Sequence, residues 1–190
     1  PAPGVQAALD FLDTADFRLY PDPASSALVR SLADYYGVDE DQVFVGVGSD
    51  DVLSLCFLTF FNSEKPILFP DITYSFYKVW AELYRIPYEC PALDGDFRIV
   101  KEDYYRENGG IIFPNPNAPT AIYEELDFIE DILEHNRDSI VIVDEAYVDF
   151  AGRSAMELIG KYDNLIVTQT FSKARSLAGM RIGYAISNPD

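Results

Sequence analysis

The 190-residue chain is 48% hydrophobic and carries 24% charged residues, enough apolar material for one substantial core and a domain count of one or a little more. Its formal charge of −18, from 32 acidic against 14 basic groups, argues against nucleic acid or an anionic membrane surface as a partner, because both need a basic face. No apolar run approaches the roughly 18 residues of a membrane span and no signal-peptide pattern opens the sequence, so a soluble, cytoplasmic protein is expected.

Cys56 and Cys90 lack the spacing of a zinc or redox pair, which fits a reducing compartment and no metal site. Pro1-Ala2-Pro3 at the start and Ser187-Asn188-Pro189-Asp190 at the close lead us to expect a piece of a longer polypeptide.

Taken in chain order, apolar spacing predicts a helix over Gly4–Leu12 and another over Ala24–Tyr36, separated by the proline-rich Arg18–Pro23 and ended at Gly37. Gln42–Val47 reads as a short strand, Gly48–Asp51 as a turn, and Val52–Phe61 as a buried helix. A strand at Ile67–Phe69, a helix over Ser75–Tyr84 and a short strand within Pro87–Leu93 follow. The polar stretch Asp94–Asn108 leads to a strand at Ile111–Phe113, the loop Pro114–Thr120 and a helix over Glu124–Asn136. Ser139–Val143, Leu165–Gln169 and Ile182–Ile186 are the last strands. Short apolar strands alternating with helices predict an α/β fold of three layers, α/β/α, around a mostly parallel sheet.

Function in such sheets collects outside the carboxyl ends of the strands, and five stretches place chemistry there. Gly48-Ser49-Asp50 hands a strand to a helix, whose first N–H groups and dipole can hold an anion; a simple capped turn is the competing reading. The third glycine of a dinucleotide fingerprint and the Gly-Lys-Ser/Thr of a P-loop are both missing, which disfavours a nucleotide-binding protein. Asp144-Glu145 closes an apolar strand, where a carboxylate can hold Mg²⁺, pair with a protonated pyridine nitrogen, or merely cap. The missing phosphate-cradling lysine loop removes the first of these.

Phe171-Ser172-Lys173, with Arg181 shortly after, puts an amine and a cation on one strand exit, and a lysine kept partly neutral there can form a Schiff base. An adjacent Arg181 and partial burial are expected to favour the neutral amine. Asn115 and Asn117 follow a further strand and Tyr74 another, where an aromatic ring can stack on a flat heterocycle, although such residues more often serve turns and packing. The one histidine, His135, lies in a polar helix end and is expected to be solvated, which disfavours a Ser-His-Asp triad.

These stretches, in this order, resemble the fold-type I pyridoxal-phosphate aminotransferases, over almost the whole chain but only that family's cofactor-binding large domain (residues 1–190). Arg18-Leu19-Tyr20-Pro21-Asp22 and Ile72–Tyr77 are most similar to the histidinol-phosphate aminotransferase branch.

The resemblance implies pyridoxal 5′-phosphate as cofactor and Lys173 as its covalent anchor and proton shuttle. It pairs Asp144 with the ring nitrogen, sets Tyr147 and Asn117 at the ring oxygen, and stacks Tyr74 on the ring. Thr170, Ser172, Arg181 and the Gly48-Ser49-Asp50 amides would hold the phosphate, joined by Tyr20 from the neighbouring subunit of a homodimer. Many relatives read Asn-Pro-Thr-Gly where this chain has Ala118-Pro119-Thr120-Ala121, so the ring contact is assigned to Asn117. The implied substrate is a small amino acid or phosphorylated amino alcohol, with histidinol phosphate and 2-oxoglutarate first. The family's amino-terminal arm and carboxy-terminal small domain, which brings an arginine to the substrate carboxylate, are expected to lie outside this stretch. A phosphothreonine decarboxylase on the same scaffold, another class I/II aminotransferase, and a non-catalytic, cofactor-sensing domain of a regulator are the alternatives; the last usually carries a basic DNA-binding module, which this acidic chain lacks.

Overall fold

The computed structural model describes residues 1–189. Seven strands form one sheet in the order β1-β7-β6-β5-β4-β2-β3: β1 (Val43–Val47), β2 (Ile67–Leu68), β3 (Tyr88–Glu89), β4 (Ile111–Pro114), β5 (Val141–Asp144), β6 (Leu165–Thr170) and β7 (Ile182–Ser187). Strand β7 runs antiparallel to both its neighbours, β1 and β6, and the other pairs are parallel. Among the described residues five α-helices accompany them: α1 (Pro3–Asp10), α2 (Ser26–Tyr36), α3 (Ser49–Phe60), α4 (Phe76–Tyr84) and α5 (Leu126–His135).

The three layers follow from the two-residue period of the strands. Ile111, Phe113, Val141, Val143, Leu165 and Val167 face one side and pack with Leu32 and Ala33 of α2 and with Leu126, Ile129, Ile132 and Leu133 of α5. Their neighbours Ile112, Ile142 and Ile166 face the other side, against Val52, Leu53, Cys56 and Phe57 of α3 and Tyr77 and Ala81 of α4. Because both faces are covered, the central strands carry apolar residues at successive positions over Ile111–Phe113, Val141–Val143 and Leu165–Val167, which is why these stretches read as continuous runs. Phe57 is fully buried, and truncating a ring in such a site to alanine costs about 3–5 kcal/mol.

Several boundaries differ from expectation for local reasons. The Gly48–Asp51 turn is shorter than predicted: α3 begins at Ser49, with Gly48 as its cap at φ 86, a left-handed backbone that glycine tolerates. The strand expected within Pro87–Leu93 shrinks to two residues at the sheet edge. Asp94–Asn108 holds a turn in which Asp94 accepts from the Asp96 and Arg98 N–H groups, then a 3-10 turn at Lys101–Tyr104. Further 3-10 turns at Val148–Phe150 and Ala155–Leu158 have no periodic signal in the sequence. His135, though exposed, is not simply solvated: its ring stacks on Tyr105 at 3.8 Å.

Candidate active site

The carboxyl ends of β1, β4, β5 and β6 lie on one edge of the sheet, and the loop after β2 joins them. Strand β7 is reversed, so its beginning lies at that edge, and Arg181, immediately before it, arrives beside the turn that opens α3. The close approach is made possible by glycine: Gly46 faces Gly183 across the β1–β7 pair, and a Cβ on Gly183 would meet the Ser49 nitrogen at 2.3 Å. A glycine inside a strand signals such an approach, so Gly183 was discoverable from sequence.

A cavity of about 220 Å³ opens at this edge. Ser49, Asp50, Tyr74, Asp144, Tyr147, Ser172, Lys173 and Arg181 all line it, together with Pro114, Ala118, Ala146 and Ala178. The first-turn N–H groups of α3 have no carbonyl four residues back to bond, and with Arg181 beside them they form a place for an anion. Arg181 stands 3.9 Å from Asp50, whose other oxygen accepts from the Tyr74 hydroxyl at 2.7 Å. Burial and the neighbouring Asp50 keep the Tyr74 phenol protonated well beyond the usual tyrosine range.

Asp144 ends β5 and is 4% exposed. Its Oδ2 accepts from the Tyr77 hydroxyl at 2.8 Å, and its Oδ1 accepts from the Ala146 N–H at 3.2 Å and the Thr168 hydroxyl at 3.4 Å. Among the described residues no lysine or arginine forms an ion pair with it, and burial raises its pKa against the pull of those donors. A buried carboxylate on a cavity wall with no cation beside it is suited to a cationic ligand. Lys173 lies three residues past β6, its Nζ 5.1 Å from the centre of the Tyr147 ring. It is exposed, not partly buried as expected, because the loop from Phe171 to Arg181 runs along the open rim.

Four predicted residues lie outside this lining. Gly48 sits directly behind it, touching Arg181. Thr170 is buried beneath Ser172, whose N–H it accepts at 3.1 Å. Asn117 is also buried, and its carboxamide is committed to the Ile72 carbonyl and the Thr73 and Thr120 hydroxyls, leaving Ala118 to face the cavity. Tyr20 is fully exposed, away from the cavity lining. Asn115, the companion of Asn117 in the loop, pins that loop to the segment just before α5 through both the N–H and the carbonyl of Glu124. Sequence reasoning missed the roles of Tyr77 and Thr168; the only signal for Tyr77 was its helical spacing with Ala81 on the sheet-facing side of α4.

Beneath the floor lies a second buried acid, Glu145, 2% exposed. It accepts from Ser154, from the Ala155 N–H and from Gln169, and burial pushes its pKa up to about 7. Gln169 in turn accepts from Tyr36 and Tyr184, tying α2 to β6 and β7. Among the described residues no group of three or more His, Cys, Asp or Glu side chains is arranged to hold a metal ion, and no helix is long and apolar enough to cross a membrane.

Comparison with known proteins gives a consistent result. The family described as "Aminotransferase class I and II" matches residues 2–190. The chain is 57% identical over 175 residues to the histidinol-phosphate aminotransferase of Pseudomonas putida (strain W619), covering 92% of this chain and 50% of that protein. It is 51% identical over 190 residues to the enzyme of that name from Lactococcus lactis subsp. cremoris (strain SK11), covering 100% of this chain and 53% of the relative. It thus spans about half the length of the curated relatives it matches. Among solved structures, histidinol-phosphate aminotransferase from Sinorhizobium meliloti in complex with pyridoxal-5′-phosphate superposes with a TM-score of 0.89 at 25% identity, covering 100% of this chain and 53% of that one. L-threonine-O-3-phosphate decarboxylase from Porphyromonas gingivalis shares the fold at a TM-score of 0.78 and 23% identity, covering 91% of this chain and 55% of that one.

Proposed function

This chain belongs to the class I and II aminotransferase family, and from that premise we propose that residues 1–190 are the cofactor-binding large domain of an aminotransferase that uses pyridoxal 5′-phosphate. The reaction is transfer of the amino group of histidinol phosphate to 2-oxoglutarate, giving imidazole acetol phosphate and glutamate in histidine biosynthesis. The observation that carries the reading is the meeting of Lys173, Asp144 and Arg181 on one cavity, in a chain 51–57% identical to proteins of that name.

The residues fit the cofactor. Asp144 is a buried carboxyl group with no lysine or arginine paired to it among the described residues, a match for a protonated pyridine nitrogen. Arg181, Ser172 and the Gly48-Ser49-Asp50 amides form a cup for a phosphate, with Thr170 orienting Ser172 from below. Tyr74 and Tyr147 offer aromatic surface and hydroxyl groups to the ring, while Asn117 shapes the loop that presents Ala118. When bound, the cofactor supplies the electron sink for the pair released at the substrate's α-carbon. Lys173 would hold the cofactor through Nζ, and the same nitrogen would accept the proton from the substrate's α-carbon. Asp144 would keep a ring nitrogen protonated, and Arg181 would bind the phosphate, with Lys173 on the same cavity.

The substrate is small, and its carboxylate or phosphate contacts come from outside this stretch. A homodimer completes the site, with Tyr20 reaching the phosphate of the partner copy. The exposure of Phe11 at 89%, Phe17 at 70% and Tyr20 at 101% supports a covering surface for this segment. The compartment is the cytoplasm, in keeping with the unpaired Cys56 and Cys90.

The test is borohydride reduction of the full-length protein with pyridoxal phosphate, peptide mapping of the label, and product analysis with histidinol phosphate and 2-oxoglutarate. Label on Lys173 with formation of glutamate supports the reading. Label elsewhere overturns the site, and carbon dioxide release from threonine phosphate without transamination overturns the reaction.

A further inference from the structure

Of the groups around the cavity, Tyr77 has no place in the chemistry above, yet it is fully buried and makes the shortest hydrogen bond to Asp144. We propose that Tyr77 is a positioning residue that fixes the Asp144 carboxylate for a heteroaromatic ring nitrogen, an inference that rests on the reading of this cavity as a pyridoxal phosphate site.

The Asp144 Oδ1 has two longer donors, at 3.2 and 3.4 Å, whereas its Oδ2 has one, the Tyr77 hydroxyl at 2.8 Å. An ionised carboxylate accepts through about four lone-pair sites, so these donors fix its plane while leaving acceptor capacity toward the cavity. Tyr77 is itself held rigidly. Its ring lies 6.2 Å from Phe57 in a stacked arrangement and 6.0 Å from Phe69 edge-on. It meets Tyr74, on the cavity wall, edge-on at 5.6 Å.

Burial and the charge of Asp144 push the Tyr77 phenol well above the usual tyrosine range, so it remains a donor. A neutral donor that cannot leave, aimed at a buried acid, favours the ionised form of that acid. That is the form a ring N–H requires. Tyr77 therefore links α4 packing to the electrostatics of the cavity floor.

The experiment measures binding by the metal-free, cofactor-free full-length protein of two probes, pyridoxal 5′-phosphate and its 1-deaza analogue, in which carbon replaces the ring nitrogen. Tyr77→Phe keeps the ring and its packing and removes only the hydroxyl. We expect this variant to lose roughly tenfold in affinity for pyridoxal phosphate, the size of a hydrogen bond to a charged group, while its affinity for the deaza analogue changes less than about twofold. Thr168→Val, which removes the longer hydroxyl contact, serves as the comparison and is expected to lose less. In an Asp144→Asn background, Tyr77→Phe should have no further effect on the preference between probes. Equal losses on both probes, or no loss on either, overturn the proposal by making Tyr77 a packing residue. Unaltered protein that binds neither probe defeats the cofactor reading itself, a separate outcome.

Discussion

The backbone at Gly48 lies so close to Arg181 that a Cβ added there would stand 2.4 Å from the guanidinium Nη2. The helix-opening turn and the residue before β7 thus share one space, and no side chain can be inserted between them. Gly48→Ala also meets a φ of 86, so we expect it to displace Arg181 and weaken pyridoxal phosphate binding at least tenfold, or about 1.4 kcal/mol or more. Gly183→Ala should act through the backbone of Gly48 and Ser49, lowering the melting temperature as well. Fluorescence titration and thermal melts check both.

Lys173 is exposed and outside any strand or helix. Lys173→Ala should leave unfolding free energy within about 0.5 kcal/mol of the unaltered protein while abolishing the visible absorbance of bound cofactor and turnover. Retained turnover with an unchanged melt would remove lysine from the chemistry.

Tyr74 makes two separable contributions. Its hydroxyl donates to Asp50 at 2.7 Å and its ring stacks on Phe76 at 5.7 Å. Tyr74→Phe loses only the hydrogen bond, about 0.5–1.5 kcal/mol, and should weaken cofactor affinity a few-fold. Tyr74→Ala loses the ring and should weaken it by a clearly larger factor in the same titration.

Glu145 gives the fold a pH dependence of definite sign. Burial raises its pKa from 4.5 to about 7, so between these values the folded chain holds a proton that the unfolded chain has released. Stability from this group is therefore full below pH 4.5 and falls as pH rises toward 7, by an amount on the order of 3 kcal/mol. Urea melts across that range should show a shallower fall for Glu145→Gln; an identical slope would remove Glu145 as its source.

If Tyr20 completes the partner's phosphate site, Tyr20→Phe and Lys173→Ala full-length subunits should complement each other. Mixing them equally makes half of the dimers mixed, each with one whole site, so activity should return to about a quarter of the unaltered level. Failure of either homodimer mixture to gain activity after subunit exchange, verified by mass, would place Tyr20 outside the site.

The residues at strand ends were legible in the sequence. Asp144 follows four apolar residues and Lys173 lies shortly after the apolar Leu165–Val167, and a mostly parallel sheet brings such ends to one edge whatever the detailed packing. The reversal of β7 was not legible, because Ile182–Ile186 is apolar in either direction; yet it is what delivers Arg181 to Gly48. The loop after β4 shows the same division: its prolines announce a rigid turn, but Asn117 turns inward to Ile72 and Thr120 while Ala118 faces the cavity.

What the sequence by itself determined was the alternation of strands and helices and the class of chemistry at their ends, since two-residue and helical periods and the identity of terminal residues are local properties. Only the tertiary structure decided that Tyr77 would donate to Asp144, 67 residues away, and that Glu145 would be buried among Ser154 and Gln169. Those contacts depend on how α4 and the 3-10 turns settle on the sheet, a packing outcome that no periodicity encodes.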